Sequence, residues 1–551
     1  MHFRTTSLVL ALLSSSALAA IVSQPARAQD AAMAAKIEKL EAKLRQLEHQ
    51  LSVQDRRTRE TAQEVHKVSV HPVSSHEHAA RVGGAGGLIP AEYNTTDHTL
   101  RAPDGTLIST DKIYYKGLTI TPGGFFELDG IFRDKNQLAD VGSSWGAIPY
   151  QNNLAGHLNE YRFSARHSRF SMLAEGDVNK DIHLAGYVEF DWLGAAASAN
   201  PNSTNSFQPR IRNMYATADF KDLGLHGLFG QSWSLLTLNA SGMSPRKEQP
   251  PLVIDAQYVP GFYFARQPGL RIVKDFDNKF FIGASIENPQ TTAAPGPVPG
   301  GGPNGTPLVT WNAPGGSQFN SLVNNSLNNI PDFIGKVAWE PTVFDRQIHL
   351  EGFGIYRNFY SRNNLTGQHN NVAGYGGGGG VIVPLIPKTL DFQFSAFAGR
   401  GIGRYGAAAL PDVAIQANGA LTANPETMLL AGLIFHATPT WDFYIYAGQE
   451  QQMSPHYSFS GAATTANAFG LGNPLYNNTG CFVVGGSCSN QTSLIRSVAA
   501  GFWNNFYTGS FGRLQGGMTY SYTERSGFGG IGGTPKANTS MLMTSLRYYP
   551  W

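Results

Sequence analysis

The chain has 551 residues, enough for several soluble domains or one large barrel. Charged residues make up only 15%, against a typical ~25%, while glycine reaches 62 residues and aromatics 11%. After the first thirty residues no run approaches the ~20 consecutive apolar residues of a membrane helix, and the net charge of +2 gives no sign of a nucleic-acid partner.

The N-terminus reads as a secretory signal over residues 1–28. Arg4 supplies the positive region, residues 8–20 the apolar core, and Ala26-Arg27-Ala28 the small residues of a cleavage site, so Gln29 is expected to open the mature chain. Residues 29–70 change in kind. Ile37, Leu40, Leu44, Leu47 and Leu51 step by three and four, the a/d seam of a coiled coil. A helix this short gains little alone, so self-association is expected, with a lone amphipathic helix packing on the barrel as the alternative. Residues 71–112 lose that period. His71, His76 and His78 lack a regular ligand spacing and sit in a segment containing Gly83-Gly84-Ala85-Gly86-Gly87, which reads as a flexible linker and not as a metal site.

From residue 113 to 551 short segments alternate apolar and polar residues. Ile182, Leu184, Val188, Phe190 and Trp192 share one face of a strand; His183, Tyr187, Glu189 and Asp191 share the other. Phe392 and Phe394 oppose Asp391, Gln393 and Ser395, and Trp441, Phe443 and Ile445 oppose Asp442, Tyr444 and Tyr446. A soluble sandwich would turn the apolar face inward; a transmembrane barrel turns it to lipid. The connections decide between them. Short turns near 175–181, 220–226, 275–279, 340–346, 384–388, 437–440 and 504–509 alternate with long connections near 195–208, 236–267, 288–330, 403–426 and 452–492. An up-and-down barrel with both chain ends on one side requires that asymmetry. The expected fold class is therefore all-β and transmembrane: an antiparallel outer-membrane barrel of about sixteen strands with an N-terminal coiled-coil helix. A hairpin hidden in a long loop would raise the number to eighteen. Cys481 and Cys488 lie close together and are expected to clip one loop as a disulfide in an oxidising compartment, in preference to a metal or redox pair.

Several short stretches carry a resemblance. They are Tyr161-Arg162-Phe163-Ser164-Ala165-Arg166, Arg210-Ile211-Arg212-Asn213-Met214-Tyr215, Leu228-Phe229-Gly230-Gln231-Ser232-Trp233-Ser234, Ser285-Ile286-Glu287-Asn288-Pro289 and the terminal Tyr548-Tyr549-Pro550-Trp551. Together they resemble the phosphate-selective porin family in its broad sense. That resemblance implies a trimeric, sixteen-stranded outer-membrane porin whose third long connection, residues 237–264, folds into the lumen. It does not specify phosphate, and no lysine cluster matches in that loop.

A pore acts through a narrow wet passage whose charges set the barrier for a solute. Arg246, Lys247, Glu248 and Asp255 in the third long connection are the candidate constriction residues. Arg162, Arg166, Arg210, Arg212, Arg400 and Arg404 are candidates for the lumen wall, because charge facing lipid costs roughly 2–4 kcal/mol at the midplane. Their guanidiniums either guide anions or pair with Glu127, Asp129, Glu189, Asp191 and Asp219 as scaffold. No nucleophile elbow, metalloprotease helix motif or phosphate-binding glycine loop is present, so no catalytic residue, metal or cofactor is expected. The expected partners are outer-membrane lipid and lipopolysaccharide, small hydrophilic solutes, two further copies of the chain, and the cell wall through a periplasmic coiled coil. The rival readings are a phosphate- or sugar-specific channel and a plugged barrel acting as a tether or adhesin.

Overall fold

The computed structural model describes residues 92–94, 99–101, 107–108, 112–194, 208–313, 325–464 and 467–550. The signal peptide and the coiled coil expected at 1–28 and 29–70 lie outside them. Within the expected linker, Glu92–Asn94, Thr99–Arg101 and Leu107–Ile108 pair as a small three-stranded sheet. No helix of the described residues is long and apolar enough to cross a membrane.

Sixteen spanning strands close one antiparallel barrel. They are β1 (Leu118–Arg133), β2 in two pieces (Glu160–Ser164 and Arg169–Asp177), β3 (Ile182–Asp191), β4 (Arg210–Phe220), β5 (Leu225–Trp233), β6 (Arg266–Phe276), β7 (Phe280–Glu287) and β8 (Asp332–Trp339). The circuit continues through β9 (His349–Asn363), β10 (His369–Ile386), β11 (Leu390–Arg400), β12 (Pro425–Thr438), β13 (Trp441–Gln452), β14 (Thr492–Gly509), β15 (Gly512–Gly527) and β16 (Lys536–Tyr549). Each strand pairs with its neighbours in sequence, and β16 closes on β1 with Met543 opposite Ile131 and Tyr548 opposite Phe126. Closure leaves no sheet edge, which a lipid environment demands. The long loops do contain hairpins, such as Val413–Ile415 with Leu421–Ala423 and His456–Phe459 with Ala468–Leu471. These form separate two-stranded sheets, so the barrel has sixteen strands and not eighteen.

Local chemistry explains the tight end. Between β6 and β7, Asp277 and Asn278 both take positive φ, 55° and 54°, the paired left-handed conformation that matches the twist of a hairpin and suits these two side chains.

The burial pattern runs opposite to that of a soluble protein. On β8, Phe333, Val337 and Trp339 are 43%, 46% and 53% exposed on the outside, while Asp332 and Lys336 are buried inside. On β7, Phe280, Ile282 and Ile286 face out while Ser285 and Glu287 face in. Apolar side chains outside and charged ones inside make the outer face a lipid surface. Phe229, Leu270, Ile286, Phe333, Tyr356 and Tyr375 form one continuous cross-strand row on that face. A second row, Phe276, Phe280 and Trp339, lies six residues below the first along β7 and β8. At ~3.4 Å per residue the two stand about 20 Å apart, close to the height of a lipid-facing band with aromatic margins.

The apolar core lies within the bore. Loop residues Val253, Ile254, Val259 and Phe262, with Val141, Trp145 and Ile148 of the first long loop, pack against inward side chains of β12–β16 such as Leu430, Tyr446, Trp503 and Met543. On β10 the glycine run makes room for rings. A Cβ at Gly378 would lie 2.6 Å from Phe353 Cζ, and one at Gly374 would lie 2.5 Å from Phe359 Cε2. Phe353, Phe397 and Tyr263 meet there edge to face, with centroids 5.0 to 5.6 Å apart.

Candidate functional site

The connection between β5 and β6 turns into the barrel and crosses it. Its first part is pinned to one wall: Leu235 N donates to Glu287 Oε1 at 2.9 Å and Asn239 N to Glu351 Oε2 at 3.1 Å. Lys336 Nζ donates to Thr237 O at 2.8 Å and to Asn239 Oδ1 at 2.9 Å, and lies 2.7 Å from Glu351 Oε2. Its second part is pinned to the far wall. Leu252 O accepts from Trp503 Nε1 at 2.7 Å, Ile254 N donates to Thr519 Oγ1 at 3.1 Å, and Gly261 N donates to Glu450 Oε1 at 2.8 Å. Backbone groups that would otherwise be unsatisfied inside the bore are thus satisfied by inward side chains of six strands.

Between these two anchorages the loop makes a small hairpin. Ala240 N donates to Lys247 O at 2.6 Å and Gln249 N to Leu238 O at 2.8 Å. Arg246 sits near its tip with φ 67°. Its guanidinium lies 5.5 Å from the ring centroid of Tyr187, a cation–π arrangement. Arg246, Glu248 and Pro250 of the loop face Arg169, Tyr187, Glu189, Arg212 and Tyr215 of the wall across a neck of about 240 Å³. The neck adjoins a cavity of about 520 Å³ toward the short-turn end, where Lys247, Arg271, Lys221, Glu175, Asp219, Asp275 and His226 line the surface. Arg246 borders both.

Charge at the neck is unequal. Three guanidiniums, from Arg169, Arg212 and Arg246, meet two carboxylates, from Glu189 and Glu248. Arg212 is fully buried, bonded to Glu189 and, at 3.0 Å, to Asp191. Tyr187 donates its hydroxyl to Glu189 at 3.0 Å. Burial pushes the Glu248 carboxyl above its ordinary range, with Arg271 pulling the other way.

The remaining expected residues fall in different places. Asp255 is sealed, 2% exposed, accepting from Ser143 N at 3.0 Å and Gln257 N at 2.8 Å; it joins the crossing loop to the first long loop and lines neither cavity. Burial raises its carboxyl, against the pull of Arg133. Arg162 faces inward and pairs with Glu160 at 3.0 Å, and Arg210 grips Asp191 with two nitrogens at 2.7 and 3.0 Å. Arg166 lies in the break of β2, bonded to Asp140 at 2.9 Å and to the carbonyls of Trp192 and Gly194. Arg404 reaches Gln267 and stands 3.9 Å from Asp332. Arg400 does not face the bore. It shares the parity of the outward Phe394 and Ala398 and lies exposed at the loop end of β11, paired with Tyr375 at the aromatic margin of the band. Cys481 and Cys488 are joined as a disulfide.

Comparison with known proteins bears on the fold. No family model and no curated protein matches the sequence. Among solved structures, the outer membrane channel DcaP of Acinetobacter baumannii is similar over 79% of this chain and 99% of its own, at 15% identity and a TM-score of 0.54. Looser likenesses are OmpF of Salmonella typhi in complex with daunomycin (80% and 99% covered, 10% identity, TM-score 0.42) and an anion-selective porin from Comamonas acidovorans (78% and 99% covered, 8% identity, TM-score 0.41). The first shares the barrel architecture derived above; the other two are too distant to add to it.

Proposed function

We propose that this chain is an outer-membrane diffusion porin, passing small hydrophilic solutes and ions with a mild preference for anions. One observation carries this reading: two polar cavities line the inner wall and meet at Arg246, and in the smaller one three guanidiniums outnumber two carboxylates. Fixed charge in a narrow, low-dielectric bore lowers the barrier for counter-charged solutes and raises it for others. No covalent step is involved, and the chain is read as a non-enzyme. The resting form in this reading is a homotrimer in outer-membrane lipid, exported by residues 1–28, with residues 29–70 as a periplasmic coiled coil near the cell wall and 71–112 joining it to the barrel.

Conductance and reversal potential in a potassium chloride gradient across a planar bilayer test the proposal. Chloride is expected to outrun potassium, and Arg246→Gln with Lys247→Gln is expected to bring the two together. Equal permeability in the unaltered protein removes the anion preference. The apolar packing of the crossing loop against β12–β16 favours one rival, a plugged barrel serving as a tether; a purified protein with no single-channel current would establish that rival instead. A phosphate- or sugar-specific channel would show a current that saturates with, and is blocked by, its solute.

A further inference from the structure

At one place in the wall β1 and β2 fall out of step. Phe125 pairs with Arg169 and Asp129 with Ser164, leaving three residues between on β1 and four on β2. The extra residue makes a β-bulge, a device that re-aims a side chain. Here His167 turns into the barrel against Glu127 and Asp129, which share the inner face of β1. His167 Nδ1 lies 3.4 Å from Glu127 Oε2 and 3.8 Å from Asp129 Oδ2. One ligand atom from each of the three residues lies within 4.8 Å of the other two. Asp129, His167 and Glu127 are 0%, 3% and 4% exposed.

The hydrogen-bond inventory of this cluster is one-sided. Glu127 Oε1 accepts from Arg547 Nε at 2.7 Å and Ser545 Oγ at 2.5 Å. Glu127 Oε2, both oxygens of Asp129 and Nδ1 of His167 have no hydrogen-bond partner. A single guanidinium pairs with these two buried carboxylates. Arg169 can only donate, so His167 Nε2 accepts from it and the imidazole proton sits on Nδ1, facing two carboxylates that it does not reach in bonding geometry. A cation in place of that proton would satisfy the three carboxylate oxygens left without a donor.

We propose that Glu127, Asp129 and His167 bind a divalent transition-metal ion of zinc type. Bonds of ~2.0–2.2 Å to imidazole and carboxylate place tetrahedral ligands about 3.3–3.5 Å apart, near the 3.4 and 3.8 Å separations seen here. An imidazole with two carboxylates suits zinc; calcium would require six to eight oxygens. The fourth position goes to water. His167 Nε2 now faces Arg169 Nη2 at 3.1 Å. With metal on Nδ1, Nε2 carries the proton and Arg169 turns to Glu189, which lines the same neck. The Arg169 Nε is already without a partner.

The test uses the full-length protein in detergent, stripped with EDTA, loaded with Zn²⁺ and desalted. The unaltered chain is expected to retain one zinc more than either Asp129→Asn or His167→Gln, as measured by mass spectrometry of the metal. Co²⁺ in place of zinc is expected to give the visible absorption of a tetrahedral centre, absent in both variants. Two substitutions on different strands guard against one that fails to fold, and retention of the heat-modifiable barrel band on a gel verifies folding. Equal zinc in all three proteins overturns the proposal. So does its absence from the unaltered chain, which would assign the cluster to a proton shared by Glu127 and Asp129. Because stoichiometry is read without current, failure of the channel reading leaves this test intact.

Discussion

Lys336→Met examines the anchorage of the crossing loop most directly. The lysine and Glu351 have side chains 0% exposed and lie 2.7 Å apart. Removing one partner of a buried pair costs about 3–5 kcal/mol, because the other charge stays buried without compensation. Glu351 keeps two hydrogen bonds here, from Asn239 N at 3.1 Å and His349 Nε2 at 2.9 Å. That points to the lower end, about 3 kcal/mol, while Thr237 O and Asn239 Oδ1 lose their donor and add to the cost. The double change Lys336→Met with Glu351→Leu removes the stranded charge and should be less destabilising than the single one. Urea titration of protein folded into lipid vesicles, followed by tryptophan fluorescence, reads both values. Current recorded from the single variant should also be noisier, since the hairpin bearing Arg246 has lost a tether. A single variant costing under about 1 kcal/mol, or a double variant no better than the single, would refute this account of the loop.

Other outcomes follow from the same geometry. Val337 faces lipid within one residue of the middle of the aromatic-margined band, so Val337→Arg should cost about 2–3 kcal/mol in the same titration. Since the Glu248 carboxyl is raised, it loses its charge at a higher pH than an ordinary glutamate, leaving the neck more positive. The chloride-to-potassium permeability ratio should therefore rise as pH falls, starting at a higher pH than an ordinary glutamate would give, and Glu248→Gln should abolish most of that rise. Gly378→Ala would set a Cβ 2.6 Å from Phe353 Cζ, and overpacking of this kind costs about 1–3 kcal/mol in vesicle unfolding.

The strands were legible because lipid imposes a period of two on every one of them, and because turn chemistry such as Asp277-Asn278 marks their ends. The expected number of sixteen is the number in the barrel. What sequence parity alone could not supply was the bulge. Phe163 and Met172 both face lipid although nine residues apart, an odd interval that one unbroken strand cannot bridge. That mismatch was the available signal, and without it His167 and Arg169 were assigned to no site. Tyr187 and Glu189 were visible on a polar strand face, but their meeting with Arg246 and Tyr215 depends on where a loop lands across the bore. Asp255 illustrates the same limit. Its charge suggested an open passage, while its burial arises from contact with Ser143, 112 residues away. Arg400 follows the outward parity of its strand and sits at the aromatic margin because β11 ends there.

The crossing loop also has a mechanical meaning. A hollow cylinder of sheet ovalises easily under sideways load, since bending its wall breaks no pairing. Here one segment is bonded at Lys336 and Glu351 on one side and at Trp503, Thr519 and Glu450 on the other. It acts as a tie-rod across the diameter. The position of the hairpin that carries Arg246 is then held by bonds made inside the cylinder.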